Sequence, residues 1–89
     1  MFEARYDQSW HKYFKKLNDK LKLLAAKTIK KIKENPKKRH MKKGARFFVE
    51  EFNDRKYRIV YRIFENINII RFYFIGNHKE YEKWYKQFF

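Results

Sequence analysis

Two arginines near the middle of the chain are spaced so that both guanidinium groups project from one face of a β-strand. Residues 57–64 alternate in character with a period of two, which predicts a strand. Arg58 and Arg62 then share a face with Val60, and the residues between them point the other way. Arginines on a regular strand are held more rigidly than arginines on a loop. We therefore expect this face of the sheet to present two guanidinium groups in well-defined positions.

A larger group of cations lies close to these strands. Side chains of this kind hold backbone phosphates without sequence preference. The predicted phosphate contacts from this group are Lys37, Lys38, Arg39, Lys42, Lys43, Arg46 and Arg55.

The overall charge supports a polyanionic ligand. The 89 residues include 24 Lys and Arg against 10 Asp and Glu, a formal net charge of +14. Such a surplus destabilises the compact state through self-repulsion. We therefore expect the charge to serve binding of nucleic acid, RNA in particular.

Composition excludes several other classes of protein. There is no cysteine, hence no disulfide framework and no cysteine-based zinc site, and we expect neither a metal nor another cofactor. No stretch approaches the ~20 apolar residues of a membrane-spanning helix. The first residues contain no signal-peptide core. We expect a cytoplasmic protein that makes no membrane contact, with one domain over residues 1–89.

The first third of the chain predicts a short strand and a helical hairpin. Residues 2–6 alternate between apolar and charged types, as in a strand. Apolar residues then recur at helical spacing in 10–17 and again in 21–32, with a break at Asn18-Asp19. Pro36 ends the second helix, because the residue before a proline avoids the α conformation.

The rest of the chain predicts a sheet and a closing helix. Strands are predicted at 46–52, 57–64 and 67–75, a break at Gly76-Asn77, and a helix over 79–88. The expected fold class is α+β with the order β-α-α-β-β-β-α. We expect a small antiparallel sheet whose N-terminal helical hairpin and C-terminal helix pack on one face.

Several of these patterns, in this order and over essentially the whole chain, resemble the RelE/ParE superfamily of bacterial and archaeal type II toxins. Ser9-Trp10 with Tyr13 resembles the YoeB branch. Residues 78–81 resemble the HigB branch, and His78 with the preceding Gly76-Asn77 is similar to the Gly-x-His of YafQ. The other matching segments are Lys33-Glu34-Asn35-Pro36, Met41-Lys42-Lys43-Gly44 and Tyr57-Arg58-Ile59-Val60-Tyr61.

This resemblance implies a ribosome-dependent mRNA endonuclease that inhibits translation. Such a toxin binds the ribosome (its rRNA) and mRNA in the ribosomal A site, and an antitoxin silences it. We expect that antitoxin to be acidic. Cleavage proceeds without a metal, by attack of a ribose 2′-OH on the adjacent phosphorus. The reaction needs a base for the 2′-OH, a cation for the phosphorane oxygens and an acid for the leaving 5′-oxygen.

The resemblance assigns two of these roles. Arg58 matches the arginine that serves the phosphate, and a guanidinium can hold two phosphate oxygens at once. Arg62 would add charge on the same face. His78 falls where the family carries an arginine or a histidine, and imidazole can donate a proton near neutral pH.

The base is where the sequence departs from the family pattern. RelE carries two lysines on the strand before the central one, and Val49 and Glu51 stand at those positions. Either Glu51 is the base, or the chain binds the ribosome and cuts poorly. Glu50 would point to the opposite face, and a register slip of one residue would exchange the two glutamates.

The aromatic residues of the last helix allow two interpretations. Tyr81, Trp84, Tyr85 and Phe88 have the spacing of a core-facing stripe, and aromatic rings also stack on RNA bases. Core packing accounts for most of them, with Tyr81 or Trp84 facing the substrate.

Two other functions remain open. One is a ParE-like inhibitor of DNA gyrase, which needs no nuclease site. The other is a non-catalytic module that binds RNA or the ribosome.

Overall fold

Seven main elements follow one another in the predicted order. The computed structural model of the chain describes residues 1–36 and 47–88. The cations Lys37, Lys38, Arg39, Lys42, Lys43 and Arg46 lie outside these ranges. The elements are β1 (Glu3–Tyr6), α1 (Trp10–Phe14), α2 (Asp19–Glu34), β2 (Phe48–Phe52), β3 (Tyr57–Phe64), β4 (Ile69–Asn77) and α3 (His78–Phe88).

The four strands form one sheet in the order β1-β4-β3-β2. The β2–β3 and β3–β4 pairs are antiparallel, as expected, but β1 runs parallel to β4. Two helices separate β1 from the rest of the sheet, so no tight hairpin forces it to be antiparallel. The expected antiparallel sheet therefore has one parallel edge strand.

The helices cover both faces of the sheet, which corrects the expectation that they pack on one face. Ile59 and Tyr61 pack in a core with the apolar residues of α1 and α2. Val60 packs in a second cluster with Trp84 of α3. Successive strand residues point to opposite faces, so the two clusters lie on opposite sides of the sheet. Both faces of β3 are apolar at its centre, and each therefore requires a helix.

Strand β4 contains one extra residue relative to β3, which shifts the register of their pairing between Val60 and Tyr61. Val60 pairs with Phe74, but the next residue of β3, Tyr61, pairs with Phe72. Tyr73 is therefore a β-bulge, in which two residues oppose one. Both Tyr73 and Phe74 pack on the α3 side of the sheet.

None of the helices in the two described ranges is long and apolar enough to span a membrane.

Candidate functional site

Arg58 lies at the centre of the candidate site because of its position in the sheet. It is paired with Glu51 of β2 on one side and with Gly76 of β4 on the other. Directly paired residues share a face, and Arg58 is two residues from Val60, so all three face α3. The register places Glu51, and not Glu50, beside Arg58, since Glu50 is paired with Ile59.

The Arg58 guanidinium is held on two sides and retains free donors. Its Nη2 donates to Glu51 Oε2 at 3.5 Å, and its Cζ lies 4.9 Å from the centre of the Tyr81 ring. The side chain is 20% exposed, and its buried Nε has no hydrogen-bond partner in residues 1–36 and 47–88. A guanidinium carries five N–H donors. Arg58 can therefore bind an incoming oxyanion without first breaking a strong ion pair.

Tyr81 forms the floor of this site and is not exposed for stacking on a base. It is buried in the cluster beneath α3, and its hydroxyl has no hydrogen-bond partner in the part of the chain that the structure describes. Burial raises the pKa of Tyr81, although the positive charge of Arg58 acts in the opposite direction. Trp84 is buried in the same cluster. The core interpretation accounts for both rings, and we assign neither a contact with a base.

Gly76 allows α3 to pack close to Arg58. A Cβ at this position would lie 2.7 Å from Cζ of Phe74 and 3.0 Å from Oε1 of Glu80. Any side chain would displace both, so only glycine fits beside Arg58 on β4. A glycine inside a strand pattern indicates such a close approach. The sequence predicts a break at Gly76-Asn77, whereas β4 continues through both residues.

The junction between β4 and α3 is fixed by a reciprocal cap. Glu80 N–H donates to Asn77 Oδ1 at 2.8 Å, and Asn77 N–H donates to Glu80 Oε1 at 2.9 Å. This capping box satisfies two backbone donors at the start of the helix. It lets the strand run directly into the helix and sets the position of Tyr81. The Asn-x-x-Glu spacing could have predicted it.

His78 lies near this group of residues but has a different partner. It follows Gly76 by two residues, at the first position of α3. Its Nε2 pairs with Glu82 Oε1 at 2.8 Å along the exposed side of the helix. The structure thus brings Glu51, Arg58 and Tyr81 together and directs one nitrogen of His78 to Glu82. Nδ1 remains for any contact with a substrate.

The other predicted cations in the described ranges are exposed. Arg55 lies in the β2–β3 turn with φ of 68°, in a left-handed conformation. Arg62 lies further along β3, with its guanidinium 5.3 Å from the Phe64 ring centre. Within residues 1–36 and 47–88, no group of three or more His, Asp or Glu side chains could hold a metal ion.

The unpartnered hydroxyl of Tyr81 leads to a stability prediction. Tyr81→Phe should raise the free energy of unfolding by about 1 kcal/mol, because a buried hydroxyl without a partner is costly. The gain should be larger above pH 10. The raised pKa of Tyr81 means that its stability contribution is present below the unfolded pKa and lost as pH rises through the folded pKa.

Urea denaturation of the two proteins measures this difference. Tyr73→Phe is the matched control, since it removes a hydroxyl from a half-buried ring on the same face. It should change stability by less than about 0.5 kcal/mol. A clear loss of stability in Tyr81→Phe would show that the hydroxyl has a partner after all.

Solved structures of toxins share this architecture. The isolated E. coli RelE toxin matches with a TM-score of 0.76 at 15% identity, covering 100% of both chains. RelE in the intact E. coli RelBE toxin–antitoxin complex gives a TM-score of 0.76 at 15% identity, over 86% of this chain and 96% of that one. The RelBE2 toxin–antitoxin complex of Mycobacterium tuberculosis gives a TM-score of 0.68 at 14% identity, over 86% of this chain and 98% of that one.

Sequence comparison alone finds no such relationship. No protein-family model matches the chain, and no curated protein matches it significantly. The relationship to these toxins is therefore seen in three dimensions, where the match to RelE extends over the whole of both chains. The chain has the fold of the RelE toxins.

Proposed function

We propose that this chain is the toxin of a type II toxin–antitoxin system and cleaves mRNA on the ribosome. The observation that supports this best is Arg58, a mid-sheet arginine on a RelE fold. It packs on a buried aromatic ring, its side chain is 20% exposed, and its ion pair with Glu51 is long, at 3.5 Å. An arginine with spare donors in a fixed position is suited to stabilise the charge that develops on a phosphorane.

The proposed reaction assigns one role to each of three side chains. Glu51 takes the proton of the ribose 2′-OH, whose oxygen attacks the adjacent phosphorus. Arg58 binds the phosphorane oxygens, and its long contact with Glu51 is exchanged for a shorter one to the phosphate. His78 protonates the departing 5′-oxygen from Nδ1 while Glu82 holds Nε2. The products are a 2′,3′-cyclic phosphate and a 5′-OH end.

The proposed partners follow from the charge and the fold. The +14 charge suits the phosphate-rich ribosome, with mRNA bound in the A site. Solved RelE-fold toxins include complexes with an antitoxin. We propose that an acidic antitoxin silences this chain by covering its basic surface.

Expression of the chain without a partner tests this function. Cell growth and amino-acid incorporation should stop within minutes, and mapping of mRNA 5′ ends should reveal new 5′-OH ends inside translated regions. Arg58→Ala should abolish these ends. Lys83→Ala, on the exposed side of α3, should leave them unchanged.

Two other outcomes would refute the endonuclease. Loss of DNA supercoiling while translation continues would identify a gyrase inhibitor. Arrested translation without new mRNA ends would identify a non-catalytic ribosome-binding module. The pairing of His78 with Glu82, and not with a residue around Arg58, is the observation that favours this second alternative.

A further inference from the structure

Three arginines lie side by side across three strands, at the opposite end of β3 from Arg58. Arg71 of β4 is paired with Arg5 of β1 on one side and with Arg62 of β3 on the other. We call these three residues the arginine row. Only Arg62 belongs to the cations singled out from the sequence, because the row forms only when the strands pair.

The arginine row projects from the face of the sheet that carries α3. Ala4 and Ile70, which precede Arg5 and Arg71, pack in the core beneath α1 and α2. On β3, Ile63 packs in that same core. Strand neighbours point to opposite faces, so all three arginines point away from that core. Arg58 points to this same face.

The row places like charges next to each other. Adjacent strands are about 4.8 Å apart, and like charges directly opposite on a sheet are destabilising. Arg5 pairs with Glu3 at 2.6 Å and Arg71 with Asp7 at 2.9 Å, and all four side chains are partly exposed. Exposed pairs of this kind contribute little.

One charge in the row is left uncompensated. Arg62 makes no ion pair with any residue in the part of the chain that the structure describes. Asp7 is also bound by Ser9, whose hydroxyl donates to it at 2.7 Å. That contact helps to lower the pKa of Asp7. An arrangement that costs stability and retains net positive charge is suited to a bound anion.

Aromatic rings support two of the three guanidinium groups. Arg62 lies 5.3 Å from the Phe64 ring centre and Arg71 lies 5.8 Å from the Tyr73 ring centre. A guanidinium above a ring is covered on one face, while the N–H donors in its plane stay free. Such a group retains its fork of donors for a phosphate.

We propose that the arginine row is a second phosphate-binding site, which holds the backbone of a single-stranded RNA that also reaches Arg58. Arg58 and Arg62 are four residues apart on the same face of β3, a span of about 13 Å. A stacked strand advances about 3.4 Å per nucleotide, so about four nucleotides connect the two sites. The proposal extends the proposed function, since its ligand is of the same class, but it concerns binding and not cleavage.

Binding of fluorescent RNA, followed by anisotropy, tests the arginine row separately from the chemistry. The probes are 2′-O-methyl oligonucleotides of two and of eight residues, which lack the nucleophile and cannot be cut by the proposed reaction. The double variant Arg62→Gln/Arg71→Gln is compared with Lys27→Gln/Lys30→Gln. Both variants lose two positive charges. The two lysines are exposed on α2, which packs on the other face of the sheet, so their loss leaves the arginine row intact.

The expected result is a change in salt dependence confined to the row variant. Each lost phosphate contact reduces the logarithmic salt slope for single strands by about 0.7. For the eight-residue RNA, the row variant should therefore lose about sevenfold less affinity than the wild type between 50 and 200 mM salt. The lysine variant should retain the wild-type slope. The two-residue RNA has one phosphate and cannot occupy both sites at once, so its salt slope should differ between the wild type and the row variant by at most about 0.7, half of the change expected for the eight-residue RNA.

A single substitution guards against a folding defect. Arg62→Gln breaks no ion pair among the described residues. Between 50 and 200 mM salt, it should lose two- to threefold less RNA affinity than the wild type. It should also unfold at the same temperature as the wild type or higher, since it removes a like-charge neighbour.

Equal slopes for the row and lysine variants would overturn the proposal. The proposal would also be overturned if binding of an acidic peptide, polyglutamate for example, depended on the row while binding of RNA did not. The surface would then be a protein-binding site. Failure of the proposed function alone would give a different result. The chain would not cleave mRNA in the cell, but its RNA binding would still depend on the row.

Discussion

Arg58→Ala is expected to lower the rate of RNA cleavage by about 10²- to 10³-fold, the usual effect of removing one donor that stabilises an oxyanion. The substitution removes the only described cation that lies between Glu51 and Tyr81. The chain should remain folded, since the guanidinium loses a stacking contact with Tyr81 and one long ion pair to Glu51 at 3.5 Å, and its Nε has no hydrogen-bond partner among the described residues. Single-turnover cleavage of mRNA on purified ribosomes measures the effect.

Arg58→Lys is the informative companion. Lysine retains the charge but loses the planar fork that binds two oxygens, so most of the activity should still be lost. Lys83→Ala is the control for a general loss of charge. Full cleavage by Arg58→Ala would show that the phosphate binds elsewhere on the molecule.

His78→Ala is expected to lower cleavage by about 10²- to 10⁴-fold, the range for a positioned proton donor. The imidazole is exposed and contributes little to packing, so the fold should be unaffected. Glu82→Ala should have a smaller effect, because it removes the carboxylate that orients the ring and leaves the imidazole itself. If His78→Ala cuts at the wild-type rate, the acid is another group, on this chain or on the ribosome.

Glu51→Gln separates the remaining interpretations. Glutamine can still accept a hydrogen bond from Arg58 but cannot take a proton. A loss comparable to that of His78→Ala would establish a Glu–Arg–His set of base, clamp and acid. If Glu51→Gln cuts normally while the Arg58 and His78 variants do not, no carboxylate base operates at this position.

The placement of Arg58 was predictable because it depends on one short-range rule. The period of two in 57–64 assigned Arg58 to the face opposite Ile59, and the pairing confirms it. Glu51 was assigned by the resemblance to RelE, and its place beside Arg58 depends only on the register within one hairpin, which pairs Glu51 and not Glu50 with Arg58. The order of elements was predictable for a similar reason, since each helix and strand has its own local pattern.

The features that were missed depend on contacts between distant segments. The parallel β1, the placement of α3 on the opposite face and the arginine row form only when the strands pair. The pairing of His78 with Glu82 is local, but an exposed histidine has several possible partners, and the sequence does not indicate which of them it binds. The structure thus adds long-range neighbours to side chains whose direction was already known.

The bulge at Tyr73 determines where β4 can change in length. Without Tyr73, simple alternation would still place Phe72 beneath α1 and α2 and Phe74 beneath α3, and Gly76 would still be paired with Arg58. Deletion of Gly76 would instead place Ile75 or Asn77 beside Arg58, where any side chain meets Phe74 and Glu80 of α3. A single-residue deletion in β4 should therefore be tolerated at Tyr73 and not at Gly76.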